Sequence, residues 1–97
     1  MGGSDEVTVV LYRASDAARL AGITLARLRR YEAAGLLAPA RHYGRVRYYT
    51  AAQVALLRRI RRLHEELGVN LAGIEVILRL LARLEGEAAG HPLRDVR

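Results

Sequence analysis

The chain has 97 residues, a length that fits one domain. Hydrophobic residues make up 52% of it, enough to bury a modest core, so wholesale disorder is excluded. It contains no cysteine, which excludes disulfides, thiolate metal sites and cysteine nucleophiles. Asp5 and Glu6 stand where a secretory signal would be positive, and no apolar run reaches membrane-spanning length. We therefore expect a cytoplasmic protein without membrane attachment.

The positive charge is concentrated in one part of the chain. The formal net charge is +6, but residues 13–62 hold twelve arginines against Asp16 and Glu32, a net +10. All sixteen basic residues are arginine, whose planar guanidinium suits phosphates and guanine edges. A coding bias would explain the choice of arginine equally well, but it does not explain the clustering. The clustering predicts a polyanionic partner.

The first predicted elements are a strand and a short helix. β-Branched residues dominate Val7–Tyr12, a pattern typical of a short strand or extended arm, which we assign to residues 1–12. Ser15 suits the capping position of a helix over Asp16–Ala21, which Gly22 ends.

A second short helix follows directly. Thr24 is a second capping residue, and the helix over Leu25–Ala34 ends at Gly35. The apolar Leu36 fits a left-handed stop at that glycine, and Pro39 prevents the helix from resuming. Two short helices with a glycine in the turn between them are typical of a helix-turn-helix.

A small β-hairpin is predicted next. Residues 40–49 (ARHYGRVRYY) follow a period of two on either side of Gly44, a residue typical of turns. Arg45 and Arg47 stand two apart, so we expect both on one face of the second strand.

Two longer helices complete the predicted domain, which spans residues 13–85. Thr50 and Gln53 match a capping box, and the third helix is expected to extend to about Leu67. Its apolar residues recur at helical spacing: Val54, Leu57, Ile60, Leu63 and Leu67. Asn70 caps a fourth helix from Leu71 to about Leu84, apolar nearly all round. Gly86, Gly90 and Pro92 are expected to end regular structure, which leaves residues 86–97 as a flexible tail.

The second helix carries the first candidate DNA-contacting residues. If Leu28 faces the core, a rotation of 100° per residue puts Ala26 and Arg30 opposite it, with Arg27 and Arg29 on the flanks. Such a face can enter a major groove. The alternative is a solvated basic face with Arg29 paired to the glutamate three residues on, and the neighbouring basic hairpin favours DNA.

The hairpin extends this candidate site. Its arginines alternate with tyrosines and are expected to lie along phosphates, while tyrosines in such a position more often pack the hairpin than stack on bases. The predicted DNA-binding residues of both elements are Thr24, Ala26, Arg27, Arg29, Arg30, Tyr31, Arg41, Tyr43, Arg45, Arg47 and Tyr48.

Other polar residues point to structural roles. Arg61–Glu65 and Arg62–Glu66 are spaced as i,i+4 pairs, so the third helix is expected to carry a solvated, ion-paired face, with one or two phosphate contacts left open. The three histidines, 22 and 27 residues apart, have no carboxylate at ligand spacing. We predict no metal site, no cofactor and no enzymatic activity.

The run from Tyr12 to Leu84 resembles the MerR family of bacterial regulators. The family pattern has a small-residue helix, the motif G-[VI]-[ST]-x-x-T-L-R-x-Y-E-x-x-G-L-L-x-P and a basic wing. In this chain the motif appears as GITLARLRRYEAAGLLAP, and the wing appears as ARHYGRVRYYT. The ending GVNLAGIEVIL is most similar to the heat-shock repressor branch, whose members control chaperone operons, some with the DnaK chaperone as co-repressor. Arg27 and Arg30 depart from the threonine and tyrosine common in the family, and Arg45 replaces the second glycine of the wing turn.

The resemblance implies a mainly α winged helix-turn-helix, with a β-hairpin wing and two further helices, that binds double-stranded DNA. We predict a sequence-specific repressor of a stress or chaperone operon. Alternatives are a promoter-distorting activator, an architectural excision factor, and a chaperone-binding adaptor, against which the arginines of the basic face argue. Surplus apolar surface predicts a weak homodimer through Leu71–Leu84. The alternative is that these side chains fill the core.

Overall fold

The computed structural model describes residues 9–90, and the side chains of residues 9–86. Within that range, the chain forms four α-helices, one π-helical turn and a three-stranded antiparallel sheet, which confirms a mainly α winged helix-turn-helix. The elements in chain order are β1 (Leu11–Arg13), α1 (Ala14–Ala21), α2 (Leu25–Ala33), β2 (Arg41–Tyr43), β3 (Val46–Thr50), α3 (Ala51–Arg61), the π-helical turn (Arg62–Glu66) and α4 (Leu71–Gly90).

The sheet joins β1 to the hairpin of β2 and β3, which forms the wing. Its strand order is β1-β3-β2, and β1 pairs with β3 so that Tyr12 lies opposite Tyr49. The first strand is shorter than predicted: it starts at Leu11, and the part of the predicted strand before residue 9 lies outside the described residues. The hairpin turns at Gly44 and Arg45, so the expectation that Arg45 lies within the second strand is wrong.

The two helices of the helix-turn-helix have different starts. Strand β1 runs directly into α1, whose capping position is Arg13 without a side-chain hydrogen bond, so the predicted cap at Ser15 is wrong. Helix α2 begins as predicted, because the Thr24 hydroxyl accepts a hydrogen bond from the Arg27 N–H at 3.0 Å. The left-handed stop predicted at Gly35 is confirmed by its φ of +82°.

The core of the described residues lies where the helices meet the inner face of the sheet. Small residues on α1 allow α2 and α3 to approach closely. The buried side chains are Ala17, Ala18, Ala21, Leu28, Tyr31, Leu36, Tyr49, Val54, Leu57, Ile60 and Ile74.

The third helix changes its winding before it ends. Its capping box is formed as predicted, with Thr50 and Gln53 exchanging hydrogen bonds. After Arg61 the chain continues as a π-helical turn, in which the Leu67 N–H donates to the Arg62 carbonyl at 3.0 Å. The wider turn rotates the residues that follow it. Leu67, predicted on the apolar stripe, is therefore turned outward and 66% exposed.

The fourth helix is longer than predicted. Asn70 caps it as expected, since its side-chain oxygen accepts a hydrogen bond from the Gly73 N–H at 2.7 Å. It continues through Gly86 to Gly90, because glycine inside a helix costs only about 1 kcal/mol and Pro92 lies beyond this point. The predicted helix end near Leu84 is wrong, and residues 91–97 of the predicted tail lie outside the described residues. Among residues 9–90, no helix combines the length and apolarity needed to cross a membrane.

Candidate nucleic-acid interface

Helix α2 presents a basic face on the side opposite the core. Leu28 is fully buried, whereas Ala26, Arg29 and Arg30 are exposed, as the helical rotation predicts. The prediction that Tyr31 contacts DNA is wrong, because Tyr31 has no exposed surface and packs in the core. The signal was available in the sequence, because Tyr31 follows Leu28 by three residues and so shares its side of the helix.

One flank of α2 is bound to the wing. The guanidinium of Arg47 donates a hydrogen bond to Glu32 Oε1 at 2.7 Å, and the hydroxyl of Tyr49 donates to Glu32 Oε2. Glu32 is only 10% exposed at its side chain. Burial and the neighbouring Glu32 carboxylate raise the pKa of Tyr49 well above its usual range. The alternative pairing of Arg29 with Glu32 is not formed, and Glu32 binds Arg47 and Tyr49 of β3 instead.

The other flank is bound to the π-helical turn. Arg27 Nη1 lies 2.7 Å from Glu65 Oε2 and 3.5 Å from His64 Nδ1. The Tyr31 hydroxyl lies 3.3 Å from the same His64 nitrogen, with the two rings edge to face. The neighbouring Tyr31 and Glu65 side chains raise the pKa of Arg27 above its usual range.

An open groove of about 830 Å³ separates α2 from the wing. Its floor is apolar, with Leu25, Leu28 and Pro39 among the residues that line it. Four arginines from three different parts of the chain also line it: Arg13, Arg29, Arg45 and Arg47. Arginines that converge on one concavity suit the oxygens of a nucleic-acid backbone, because each guanidinium can form two parallel hydrogen bonds to a phosphate.

Arg13 is a groove residue that sequence reasoning missed. It ends β1, where it lies opposite Tyr48 of β3 in the sheet register. No local pattern marks it as part of the wing, because its position depends on a strand pairing across 35 residues. Only the tertiary fold brings it beside the predicted site.

The wing tyrosines pack against each other. The rings of Tyr43 and Tyr48 meet edge to face with centroids 5.5 Å apart, although Tyr43 is 61% exposed. This contact joins β2 to β3 and agrees with the expectation that wing tyrosines pack the hairpin. Arg41 of β2 lies opposite Tyr48 of β3 and is exposed.

The arginines of the third helix mostly serve the fold. Arg58 donates two hydrogen bonds to the Leu20 carbonyl, at 3.0 and 3.1 Å, and so closes the last turn of α1. The predicted ion pairs are confirmed: Arg61 Nε lies 3.5 Å from Glu65 Oε1, and Arg62 Nε lies 3.8 Å from Glu66 Oε1.

Comparisons with known proteins agree with this arrangement. Residues 12–81 match the model of the MerR helix-turn-helix family of regulatory proteins. A Streptomyces coelicolor protein named "Putative heat shock protein HspR" is 42% identical over an alignment of 82 residues, and the match covers 81% of this chain and 54% of that protein. The chain thus spans about half the length of this curated relative. Because the matched region contains the helix-turn-helix, the wing and most of α4, the chain belongs to the MerR family of DNA-binding transcriptional regulators.

Proposed function

We propose that this protein is a sequence-specific repressor of a stress or chaperone operon. The observation that carries the proposal is the exposed pair Arg29 and Arg30 on α2, which stands beside a groove lined by arginines of the wing. The similarity to a relative named as a heat shock protein supports the choice of operon. The DnaK chaperone, which the resemblance to the heat-shock repressor branch implies, is the proposed co-repressor.

The binding mode follows from the shape of the basic surface. Helix α2 would enter the major groove with Ala26 and Arg30 toward the base edges, because the small Ala26 lets the helix approach closely. The wing, with Arg45 at its turn and Arg41 on its outer strand, would lie along the flanking phosphates. Repression would follow from occupation of the promoter.

The second part of the proposal is a homodimer through α4. Val76, Leu80 and Leu84 recur every four residues and are 51%, 53% and 61% exposed, so they form an apolar stripe on the side away from the buried Ile74. A stripe of this kind is typical of a surface that meets another helix. A two-fold dimer would place two copies of α2 about 34 Å apart, on half-sites one helical turn apart.

Selection of bound sequences from a random duplex pool tests the proposal. We expect one enriched motif with two half-sites, and we expect transcription from a promoter that carries it to fall when the protein is added. A scrambled duplex of the same composition is the control. A pool without enrichment would refute sequence-specific binding, and increased transcription would replace the repressor by the promoter-distorting activator.

A further inference from the structure

The position of Arg27 differs from that of the other arginines of α2. Arg29 and Arg30 are exposed, whereas the Arg27 side chain is 34% exposed and bound at its guanidinium. Its partner, Glu65, lies 38 residues further along the chain, on the π-helical turn. The guanidinium therefore points toward the π-helical turn, and away from the wing on the other flank of α2.

Two neighbouring side chains hold Arg27 in this direction. His64 Nδ1 lies 3.5 Å from Arg27 Nη1 and 3.3 Å from the hydroxyl of the buried Tyr31. An arginine nitrogen can only donate, so His64 Nδ1 is the acceptor in its contact with Arg27, which requires the ring proton on Nε2. The hydroxyl of Tyr31 shares this single lone pair. The Arg27 guanidinium thus has a carboxylate and a ring nitrogen as acceptors within the protein.

We propose that Glu65 is a positioning residue that keeps Arg27 from contacting DNA. The inference rests on the proposed function, because it assumes that α2 contacts DNA. It divides the arginines of α2 into Arg27, which is held within the protein, and the exposed pair Arg29 and Arg30. A carboxylate and a phosphate are competing acceptors for one guanidinium, and the carboxylate is already in place at 2.7 Å. Arg29 and Arg30 then supply the DNA contacts of α2, and Glu65 reduces by one the number of phosphates that the protein neutralises.

Removing the charge of Glu65 should release Arg27. Each additional phosphate contact makes the dependence of log affinity on log salt steeper by about 0.9, which is an additional loss of about 3.5-fold between 50 and 200 mM salt. We expect Glu65→Gln to bind a random-sequence 30-base-pair duplex several-fold more tightly at low salt, with this steeper slope. In the wild-type background, Arg27→Ala should change the affinity less than about twofold and leave the slope unchanged.

Glu66→Gln is the matched control. It removes the same charge from the same turn, but Glu66 faces Arg61 and Arg62 at 3.9 and 3.8 Å and does not bind Arg27. The double variant Glu65→Gln with Arg27→Ala should return to the slope of Arg27→Ala alone, since the released cation is then absent. Partial unfolding of a variant lowers the apparent affinity without changing the salt slope, so the slope is the deciding measurement.

Three outcomes would overturn the inference. Equal slopes for Glu65→Gln and Glu66→Gln would show that only net charge matters. A weaker and flatter binding curve for Glu65→Gln would show that the ion pair supports the DNA-binding form. A slope lowered by about 0.9 in Arg27→Ala would show that Arg27 contacts DNA in the wild type. The proposed function is tested separately, by selection of bound sequences with the wild-type protein. Failure to enrich any sequence would refute sequence-specific binding. The measurements on the random-sequence duplex would still test the role of Glu65.

Discussion

Arg47 of the wing and Glu32 of α2 form an ion pair, with Arg47 Nη1 2.7 Å from Glu32 Oε1. The same carboxylate accepts a hydrogen bond from the fully buried Tyr49, two residues further along β3. One side chain of α2 therefore joins this helix to the wing. Contacts within the protein thus hold α2 and the wing together.

Replacing Glu32 should separate these two elements and destabilise the fold. Glu32→Ala leaves the buried Tyr49 hydroxyl without its acceptor, so we expect a loss of about 1–3 kcal/mol in the free energy of unfolding, measured by urea denaturation. The control is Glu75→Ala, which breaks the exposed i,i+4 pair with Arg79 at 2.9 Å and should cost about 0.5 kcal/mol or less. Equal losses in the two variants would contradict a structural role for the Glu32 contacts.

Tyr49 predicts a loss of stability at alkaline pH. A tyrosine in the unfolded chain ionises near pH 10, while burial and Glu32 raise the pKa of Tyr49 in the folded protein. Above about pH 10 the unfolded state loses a proton that the folded state keeps, so the free energy of unfolding falls as pH rises, by up to about 1.4 kcal/mol per unit. Urea denaturation at pH 9, 10 and 11 should show this decline in the wild type and in Tyr43→Phe, but a shallower one in Tyr49→Phe. The prediction fails if Tyr49→Phe follows the wild type.

Arg30 and Arg45 should contribute differently to DNA binding. If Arg30 contacts a base edge, Arg30→Ala should cost about 1–3 kcal/mol on the selected sequence and relax the preference at one position. Arg45, at the wing turn, should act on the backbone, so Arg45→Ala should weaken all duplexes alike and reduce the salt slope by about 0.9. Arg47 is less suitable for this comparison, because its loss would also leave Glu32 without a partner. Identical behaviour of the two variants on selected and scrambled duplexes would refute this division.

The apolar stripe of α4 predicts self-association. Leu80→Glu places a charge at the centre of the stripe and should shift the protein toward monomers in sedimentation. A second half-site in the duplex should then increase the affinity for DNA less than it does for the wild type. Ala82→Glu adds the same charge on an exposed position of α4 outside the stripe and should leave the association intact. One protein per duplex on both one- and two-site DNA in the wild type would rule out the dimer.

Much of the fold could be predicted because its signals are local. The capping side chains of Thr24, Thr50 and Asn70 each reach a backbone group three residues ahead, so the sequence alone marks these helix starts. The glycine stops at Gly22 and Gly35 need only a left-handed backbone. The prediction failed for Leu67, because the π-helical turn shifts the apolar periodicity that a regular helix would keep.

The sequence by itself determined which residues are basic and on which helix or hairpin they lie, since composition, capping and periodicity act over a few residues. Only the tertiary structure decided which of these arginines form ion pairs within the protein. Glu32 and Arg47 are 15 residues apart, and Arg27 and Glu65 are 38 apart, so each pair exists only when two elements pack in one register. The physical reason is that an ion pair requires contact within a few ångströms, and for distant residues the packing of the core sets that distance.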